Sequence, residues 1–313
     1  MSTIQIDTAE PSSRPTSPRR NSATTARKRR RPRRTAGGFL ARFGVHIAVL
    51  IIVAVWVLPI IGLLVSSFRT GAASAVGGWW TFLNDAGLTT EAYRKALVEG
   101  QMARGTLNSF LITIPTNVIL VAISAVTAYA FSTMNFRGKN AIFLLIVGML
   151  AMPAQVALAP LFSLFTSIGL SGQFASVWIF QAGFGLPLGL LVLRTYFDSI
   201  PSSLHEAALI DGASMLTTFI RVILPISLPA LASVLIMQFI TAWNDLLAPL
   251  VFLGGGQNAP TTVLIAALAN SETSDTTTTT AAAALISLVI PLAVFLFLQR
   301  YYSRGMTAGA TKG

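Results

Sequence analysis

Long apolar runs alternate with short polar connections along most of this chain. A helix needs about 20 apolar residues, at about 1.5 Å rise each, to cross a hydrocarbon core about 30 Å thick. Six runs meet this length, at approximately 45–67, 108–131, 141–163, 174–193, 227–250 and 277–298. Lipid offers no partner for a free backbone N–H or C=O, and the runs lack the alternating polarity of barrel strands. The pattern therefore predicts an all-α polytopic membrane protein with six transmembrane helices.

Composition supports this class and distinguishes the first 42 residues from the rest of the chain. Charged residues make up 11% of the chain, against about a quarter in a soluble domain, and the mean hydropathy is +0.69. Residues 1–42 hold 11 of the 22 Lys and Arg and little apolar surface. Such a segment buries too little apolar surface to offset the entropy that it would lose on ordering. We predict a disordered basic tail over 1–42 and one transmembrane domain over 43–313.

The distribution of Lys and Arg predicts the orientation in the membrane. An even number of spans places both termini on one side, and basic connections favour the cytoplasm. The tail and the connections at 132–140, 194–226 and 299–313 hold 18 basic residues, whereas the opposite connections hold four. We therefore expect both termini and the 194–226 connection to be cytoplasmic, with the 68–107 and 252–275 connections outside.

The tail and the motif content bear on partners and chemistry. A basic cluster before a membrane span is typical of anionic lipid contact, and no aromatic residue for base stacking precedes Phe39. We predict a lipid partner and no nucleic acid. The chain has no cysteine and no HExxH, GxSxG or GxxxxGK[ST] motif, so neither an enzyme nor an ATP-binding loop is indicated.

Several spans contain prolines and glycines. The prolines are Pro59, Pro115, Pro153, Pro160, Pro187 and Pro291. Each removes one intrahelical hydrogen bond, but membrane helices commonly tolerate this, so we expect kinked spans. In the fourth span Gly183, Gly185 and Gly189 include a small-xxx-small pair that permits close helix approach.

Polar side chains inside the spans are the candidates for a solute path. Asp245 is the one ionisable residue clearly within an apolar run, five residues before the end of the fifth span. It either belongs to a pathway or is hydrated at the interface beside Trp243 acting as a belt residue. Further polar residues in the spans that merit testing are Asn117, Gln155, Gln181, Gln238 and Asn244. We predict Gln155, Gln238, Asn244 and Asp245 as residues of a substrate path.

A soluble-looking amphipathic segment, EAALIDGASMLTTFIRVILP, occupies 206–225 between two apolar runs. Ser203 and Glu206 have the spacing of a capping box, which predicts a helix over 204–210. Asp211-Gly212 predicts a turn. A second helix over 214–223 would then place Leu216, Phe219, Ile220 and Ile223 on one apolar face. The segment is either a connector on the membrane surface or a docking element for a partner.

The same segment resembles the cytoplasmic signature of permeases in binding-protein-dependent ABC importers. The positions that carry the resemblance are Glu206, Ala207, Ala208, Gly212, Leu224 and Pro225, with Asp211 and Ala213 flanking the glycine and Val222 where the family favours Ile. The resemblance implies that 200–226 is an ATPase-coupling segment. It implies that Glu206 meets a basic residue of the ATPase, that Ala207 and Ala208 allow close approach, and that Gly212 forms the turn.

Further stretches are similar to the carbohydrate-importer members of that family. They are Asn108-Ser109, Phe136-Arg137-Gly138-Lys139, Ile200-Pro201, Trp243-Asn244-Asp245 and Arg300-Tyr301-Tyr302. The resemblance implies a sugar permease of the bacterial plasma (inner) membrane. Its implied partners are a second, different permease chain, two ATPase subunits that bind ATP and Mg, and an extracytoplasmic solute-binding protein. No cofactor is expected in this chain. The alternatives are an importer of another solute class and an ion-coupled secondary transporter.

Overall fold

A computed structural model describes residues 36–83, 87–271 and 276–310. The predicted tail over 1–42 lies mostly outside these residues. The first helix begins at Ala36, and disorder of the tail stays a prediction. The chain divides into two units between residues 55 and 56, within this helix. All packing described below lies within 56–313.

The described residues form helices joined by short connections, and the all-α prediction is confirmed. The α-helices are α1 (Ala36–Phe68), α2 (Gly71–Val76), α3 (Glu91–Val98), α4 (Met102–Thr133), α5 (Lys139–Gly148), α6 (Leu158–Ser167), α7 (Phe174–Phe197), α8 (Ser202–Ile210), α9 (Met215–Thr218), α10 (Leu224–Ile226), α11 (Leu228–Asn244), α12 (Leu247–Leu253), α13 (Thr261–Ala269) and α14 (Thr276–Ala310). Within α1, α4, α7 and α14, continuous stretches are long and apolar enough to cross a membrane. Six spans result if each of two bent helix pairs counts as one.

The predicted third span, 141–163, is broken rather than straight. The helical stretches 139–151 and 154–167 meet at 94°. Short 3-10 turns at Met149–Ala151 and Ala154–Ala157 flank the break. Pro153 explains it, because proline has no N–H and disfavours α geometry in the preceding residue. Met152 accordingly adopts extended backbone angles of φ −85° and ψ 120°.

The predicted fifth span, 227–250, is also interrupted. Helix α11 ends at Asn244, and the shorter α12 begins at Leu247. Asp245 is extended, with φ −69° and ψ 123°, and its carboxylate accepts hydrogen bonds from two backbone N–H groups of the following turn. Upstream, a π-helical turn at Phe219–Ile223 leads into α10, and the 215–226 stretch meets α11 at 74°.

Helices α4 and α7 pack closely through glycine. A Cβ on Gly185 would lie 2.3 Å from Leu120 Cδ1, and one on Gly189 would lie 2.5 Å from Ser124 Oγ. Both distances are shorter than atoms tolerate, so these two glycines permit the approach, as the small-xxx-small pattern predicts. A Cβ on Gly183 would have no neighbour within 4 Å.

The two long connections predicted outside are folded. In the first, Arg69 is buried and its guanidinium donates to the carbonyl oxygens of Ala73, Gly77 and Gly78. On α3 a hydrogen bond from Arg94 lowers the pKa of the exposed Glu91 carboxyl. The second connection, 252–275, contains α13 and is not a plain loop. Asn108 donates to the carbonyl oxygens of Gln257 and Ala259 and thereby joins this connection to α4.

Candidate functional site

All four residues predicted for a substrate path line one cavity of about 460 Å³. Gln155 comes from the broken third span, Gln238 and Asn244 from α11, and Asp245 from the break after α11. Both helix breaks, at 152–153 and at 245–246, therefore lie at this cavity. We call it the amide-lined cavity. Its wall comprises Met149, Leu150, Met152, Ala154, Gln155, Leu158, Phe180, Gln181, Phe184, Gly185, Leu188, Gln238, Thr241, Asn244, Asp245, Leu247 and Ala248.

The Asp245 carboxylate is held by donors from two elements. Its Oδ1 accepts from the backbone N–H of Leu247 at 3.0 Å and of Ala248 at 3.3 Å. Its Oδ2 accepts from Gln181 Nε2 at 2.9 Å. A carboxylate at the first turn of a helix satisfies N–H groups that otherwise lack partners and interacts favourably with the helix dipole. Asp245 thus has a structural role beside its place in the cavity wall.

Further amide side chains line the same wall. Gln181 links α7 to Asp245 and accepts a long hydrogen bond from Thr116 of α4 at 3.4 Å. Gln238 Nε2 lies 3.5 Å from the Gln181 carbonyl oxygen. Asn244 donates to the Ile240 carbonyl oxygen. No hydrogen bond joins the Gln155 side chain to another described residue. The wall therefore carries amide groups that a hydroxyl-bearing solute can use.

The sequence did not single out Gln181, Thr241, Phe180 or Phe184 for the path, although all four line the cavity. Gln181 was visible as a polar span residue. The two phenylalanines gave no signal, because aromatic residues are ordinary in apolar runs. Asn117 is absent from this wall and donates instead to the Thr113 carbonyl oxygen.

The interpretation of Trp243 as an interfacial belt residue is wrong. Its side chain is 2% exposed and its indole N–H donates to the Ser287 carbonyl oxygen of α14. Phe239 stacks on it at 5.6 Å and Phe110 meets it edge-on at 5.1 Å, measured between ring centroids. Trp243 therefore anchors the end of α11 in the protein core.

The segment at 200–226 forms a helix, a turn and further helical turns at one end of the bundle. Gly212 has φ +76°, the left-handed geometry that favours glycine. Its N–H donates to the Leu209 carbonyl oxygen, and the Ala213 N–H donates to that of Ala208. These two bonds define a Schellman motif that ends α8. The turn predicted at Asp211-Gly212 is confirmed.

The predicted capping box is absent. Helix α8 begins at Ser202 with Pro201 at the N-cap, and no side chain caps it. Pro201 has ψ 131°, and proline commonly occupies helix starts because a missing N–H costs nothing there. The side-chain cap is found on the next helix, where Ser214 Oγ accepts from the Thr217 N–H at 3.2 Å.

The matched signature residues lie at the surface of this segment. Glu206, Ala207, Asp211, Gly212 and Pro225 are exposed, while Ala208, Ala213 and Leu224 are partly buried. The apolar face predicted for the second helix is divided. Phe219 and Ile223 are buried, whereas Leu216 is 66% and Ile220 52% exposed. Together with Ile210, 85% exposed, these side chains leave an apolar surface uncovered within the part of the chain that the structure describes.

Tyr129 of α4 holds this segment to the bundle, a role that no sequence pattern predicted. Its ring lies 4.9 Å from that of Phe219 and 6.2 Å from that of His205, between centroids. Its hydroxyl donates to the Met215 carbonyl oxygen at 3.3 Å. One side chain thus contacts both α8 and the turns that follow it.

Known proteins are similar to this chain in sequence or in fold. The osmoprotective compounds uptake permease protein GgtD of Synechocystis is 41% identical, covering 88% of this chain and 93% of that protein. The alpha-glucoside transport system permease protein AglG of Rhizobium meliloti is 30% identical, covering 87% and 97%. The fold matches a bacterial ABC transporter involved in the import of the acidic polysaccharide alginate, with a TM-score of 0.72, 23% identity, and coverage of 87% of this chain and 100% of that one.

The family description that matches residues 106–308 is the inner membrane component of binding-protein-dependent transport systems. The matched region contains the amide-lined cavity and the whole 200–226 segment. The chain is therefore a member of this family, a multi-pass permease subunit of an ABC importer that is not itself an enzyme.

Proposed function

We propose that this chain forms half of a translocation path for a sugar. An extracytoplasmic solute-binding protein delivers the sugar, and two ATPase subunits drive its passage. The amide-lined cavity carries the proposal, because it combines amides, one carboxylate and two phenylalanine rings in about 460 Å³. Amide and carboxylate groups pair with sugar hydroxyls, and aromatic faces pack against the apolar face of a sugar ring. The α-glucoside permease among the relatives supports the same solute class.

The charge of the cavity wall further restricts the class of solute. Asp245 is its one acidic member, and none of the residues that line it is basic. A carboxylate without a cation nearby repels an acidic solute. A neutral solute is therefore favoured, in contrast to the acidic polysaccharide named for the transporter of similar fold.

Coupling to ATP hydrolysis is proposed for the 200–226 segment. Its exposed apolar side chains and its exposed carboxylate Glu206 form a surface that a partner subunit can cover. The Schellman turn at Gly212 and the Tyr129 contacts would transmit movement of that partner to α4. ATP and Mg would then reside on the ATPase subunits, with no cofactor in this chain.

The distribution of basic residues supports a cytoplasmic position for this end of the bundle and for both termini. The second half of the path would come from a different permease chain, as the family resemblance implies. Membership of the importer family excludes the alternative of an ion-coupled secondary transporter.

A second solute class is favoured by one observation. GgtD, at 41% identity, is named for osmoprotective compounds. A betaine-type zwitterion would place its cation near Asp245 and against the rings of Phe180 and Phe184, which are groups that attract cations. The two candidates differ in which solute competes for uptake.

Uptake by cells that express the full importer distinguishes them. We expect a radiolabelled α-glucoside to be taken up and unlabelled glycine betaine not to compete. Gln155→Ala should lower uptake at limiting α-glucoside by about two- to tenfold, because one neutral hydrogen bond is worth about 0.5–1.5 kcal/mol. Gln299→Ala, at an exposed amide outside the cavity, is the matched control. Betaine uptake with no α-glucoside uptake would establish the second class instead.

A further inference from the structure

A second recess lies at the same end of the bundle as the 200–226 segment, away from the amide-lined cavity. It is an open groove of about 670 Å³ between the connection from α4 to α5, the start of α5, and α7. Three cations line it, Arg137, Lys139 and Arg194. Its other lining residues are Asn135, Phe136, Gly138, Asn140 and Ala141. We call it the basic groove, since no carboxylate lines it.

The three cations are largely uncompensated. Arg137 is exposed and makes no ion pair or side-chain hydrogen bond within the described ranges. Lys139 Nζ donates to the Met134 carbonyl oxygen at 2.9 Å, which leaves its charge without a counterion. Arg194 has one acidic neighbour, with Nε 3.5 Å from Asp198 Oδ2. This contact lacks hydrogen-bond geometry, and the buried Nε has no hydrogen-bond partner among the described residues.

Aromatic packing holds the Arg194 guanidinium in place. Its Cζ lies 3.8 Å from the centroid of the Phe143 ring and 5.9 Å from that of Phe131. Such contacts fix the plane of a guanidinium and lower the entropy that it loses on binding. Asp198 is also engaged elsewhere, because its Oδ1 accepts from Ser132 at 2.7 Å. The groove therefore presents one ordered and two more exposed cations, the pattern that suits a phosphate.

The surface beside the groove is apolar and uncovered. On α5, Ile142 is 47%, Leu144 71% and Leu145 70% exposed. These side chains follow Lys139 by one to two helical turns and belong to the broken third span. A cationic recess continuous with a lipid-facing helix matches a molecule that has an anionic head and apolar chains. A soluble phosphate compound would use the recess but not the apolar surface.

We propose that the basic groove binds the phosphate-bearing headgroup of an anionic phospholipid, with its acyl chains along α5. Arg137 and Lys139 supply the attraction to the negative charge, and Arg194 contacts the phosphate oxygens. The site is separate from the solute path and does not depend on which solute is imported.

Native mass spectrometry of the full chain with its partner subunits, in neutral detergent, tests the proposal. Phosphatidylglycerol and phosphatidylcholine are titrated separately, and inorganic phosphate is added as a competitor. The test variant is Arg137→Gln with Lys139→Gln, since neither side chain is buried and Arg194 stays in place. The control is Arg104→Gln, which removes an exposed cation from the other end of α4.

We expect the wild type to retain phosphatidylglycerol more tightly than phosphatidylcholine. The double variant should weaken phosphatidylglycerol about 25-fold, about fivefold for each cation removed near a membrane surface, while Arg104→Gln leaves it unchanged. Equal binding of the two lipids by the wild type, or an unchanged affinity in the double variant, would overturn the proposal. Displacement of phosphatidylglycerol by millimolar inorganic phosphate would assign the groove to soluble phosphates instead, which also overturns it.

Discussion

At the scale of single residues, Asp245 and Glu206 differ in role: Asp245 is hydrogen-bonded within the permease, whereas Glu206 is exposed. Asp245 accepts three hydrogen bonds from neighbouring groups. The exposed Glu206 carboxylate forms no ion pair with another described residue, since the ion pairs among the described residues involve Arg94 and Arg194. A carboxylate that accepts hydrogen bonds within its own chain stabilises the fold. An exposed carboxylate is instead available for contact with another subunit.

Reversing the charge at Glu206 should therefore affect assembly rather than folding. We expect Glu206→Arg to lose the co-purified ATPase and its uptake activity, while the chain still inserts in the membrane. Glu99→Arg is the matched control, because Glu99 is also exposed, at 62% of its side chain, and lies on the opposite connection. Pull-down from detergent-solubilised membranes measures the effect. Full ATPase recovery with Glu206→Arg would remove Glu206 from the coupling surface.

The turn at Gly212 yields a second prediction at this scale. Gly212→Ala should destabilise the turn by about 1–2 kcal/mol, because φ +76° places a Cβ near the next carbonyl oxygen. We expect lower uptake at unchanged expression. Gly255→Ala is the control, since Gly255 is exposed, lies outside the left-handed region, and has open space around a Cβ. Equal uptake by both variants would show that the turn geometry does not matter for coupling.

At the scale of elements, prolines show why the sequence predicted six spans but not their breaks. Pro59, Pro115, Pro187 and Pro291 all lie inside continuous helices. Pro153 instead accompanies a 94° bend. Each proline frees one carbonyl oxygen, and whether the helix continues depends on which neighbours satisfy that group. Those neighbours are distant in sequence, so a single chain read in isolation does not identify the proline that breaks its span.

The packing of α4 against α7 provides a prediction for an element pair. Gly189→Ala should destabilise the permease by about 1–3 kcal/mol, the usual cost of overpacking. The new Cβ would lie 2.5 Å from Ser124 Oγ and 3.1 Å from Ser124 Cβ, and Ser124 is fully buried. Gly183→Ala, in the same helix but with no neighbour within 4 Å, should have little effect. Thermal unfolding in detergent compares the two, and equal midpoints would contradict the packing described.

At the scale of the whole molecule, the sequence predicts polar residues of the amide-lined cavity but not its aromatic residues. Gln155, Gln238, Asn244 and Asp245 are predictable because polar groups in apolar runs are costly unless they meet. Phe180 and Phe184 are not predictable, because aromatic residues in an apolar run are equally suited to positions that face lipid. The contact of Tyr129 with the 200–226 segment joins residues 76 and 86 positions apart, a separation that local patterns do not encode.

The membrane topology is testable in the natural chain, because it contains no cysteine. We expect Ser203→Cys and Asn135→Cys to react with an impermeant maleimide from the cytoplasmic face alone, and Ala75→Cys and Ser271→Cys from the outside alone. All four positions are exposed within this chain, and the labelling uses the chain expressed without the ATPase subunits, so lack of reaction reports the membrane side rather than burial. The unsubstituted chain provides the unlabelled control. Labelling of Ser203→Cys and Ala75→Cys from one side would overturn the six-span arrangement.

The break in the third span has a consequence for the resting transporter. Where 3-10 turns and the extended Met152 replace α-helix, main-chain groups lose their regular partners. At membrane depth such groups are tolerated when protein buries them or when they border water. Met149, Leu150 and Met152 border the amide-lined cavity. We therefore expect that cavity to hold water between transport cycles, so that an arriving solute binds by exchanging places with that water.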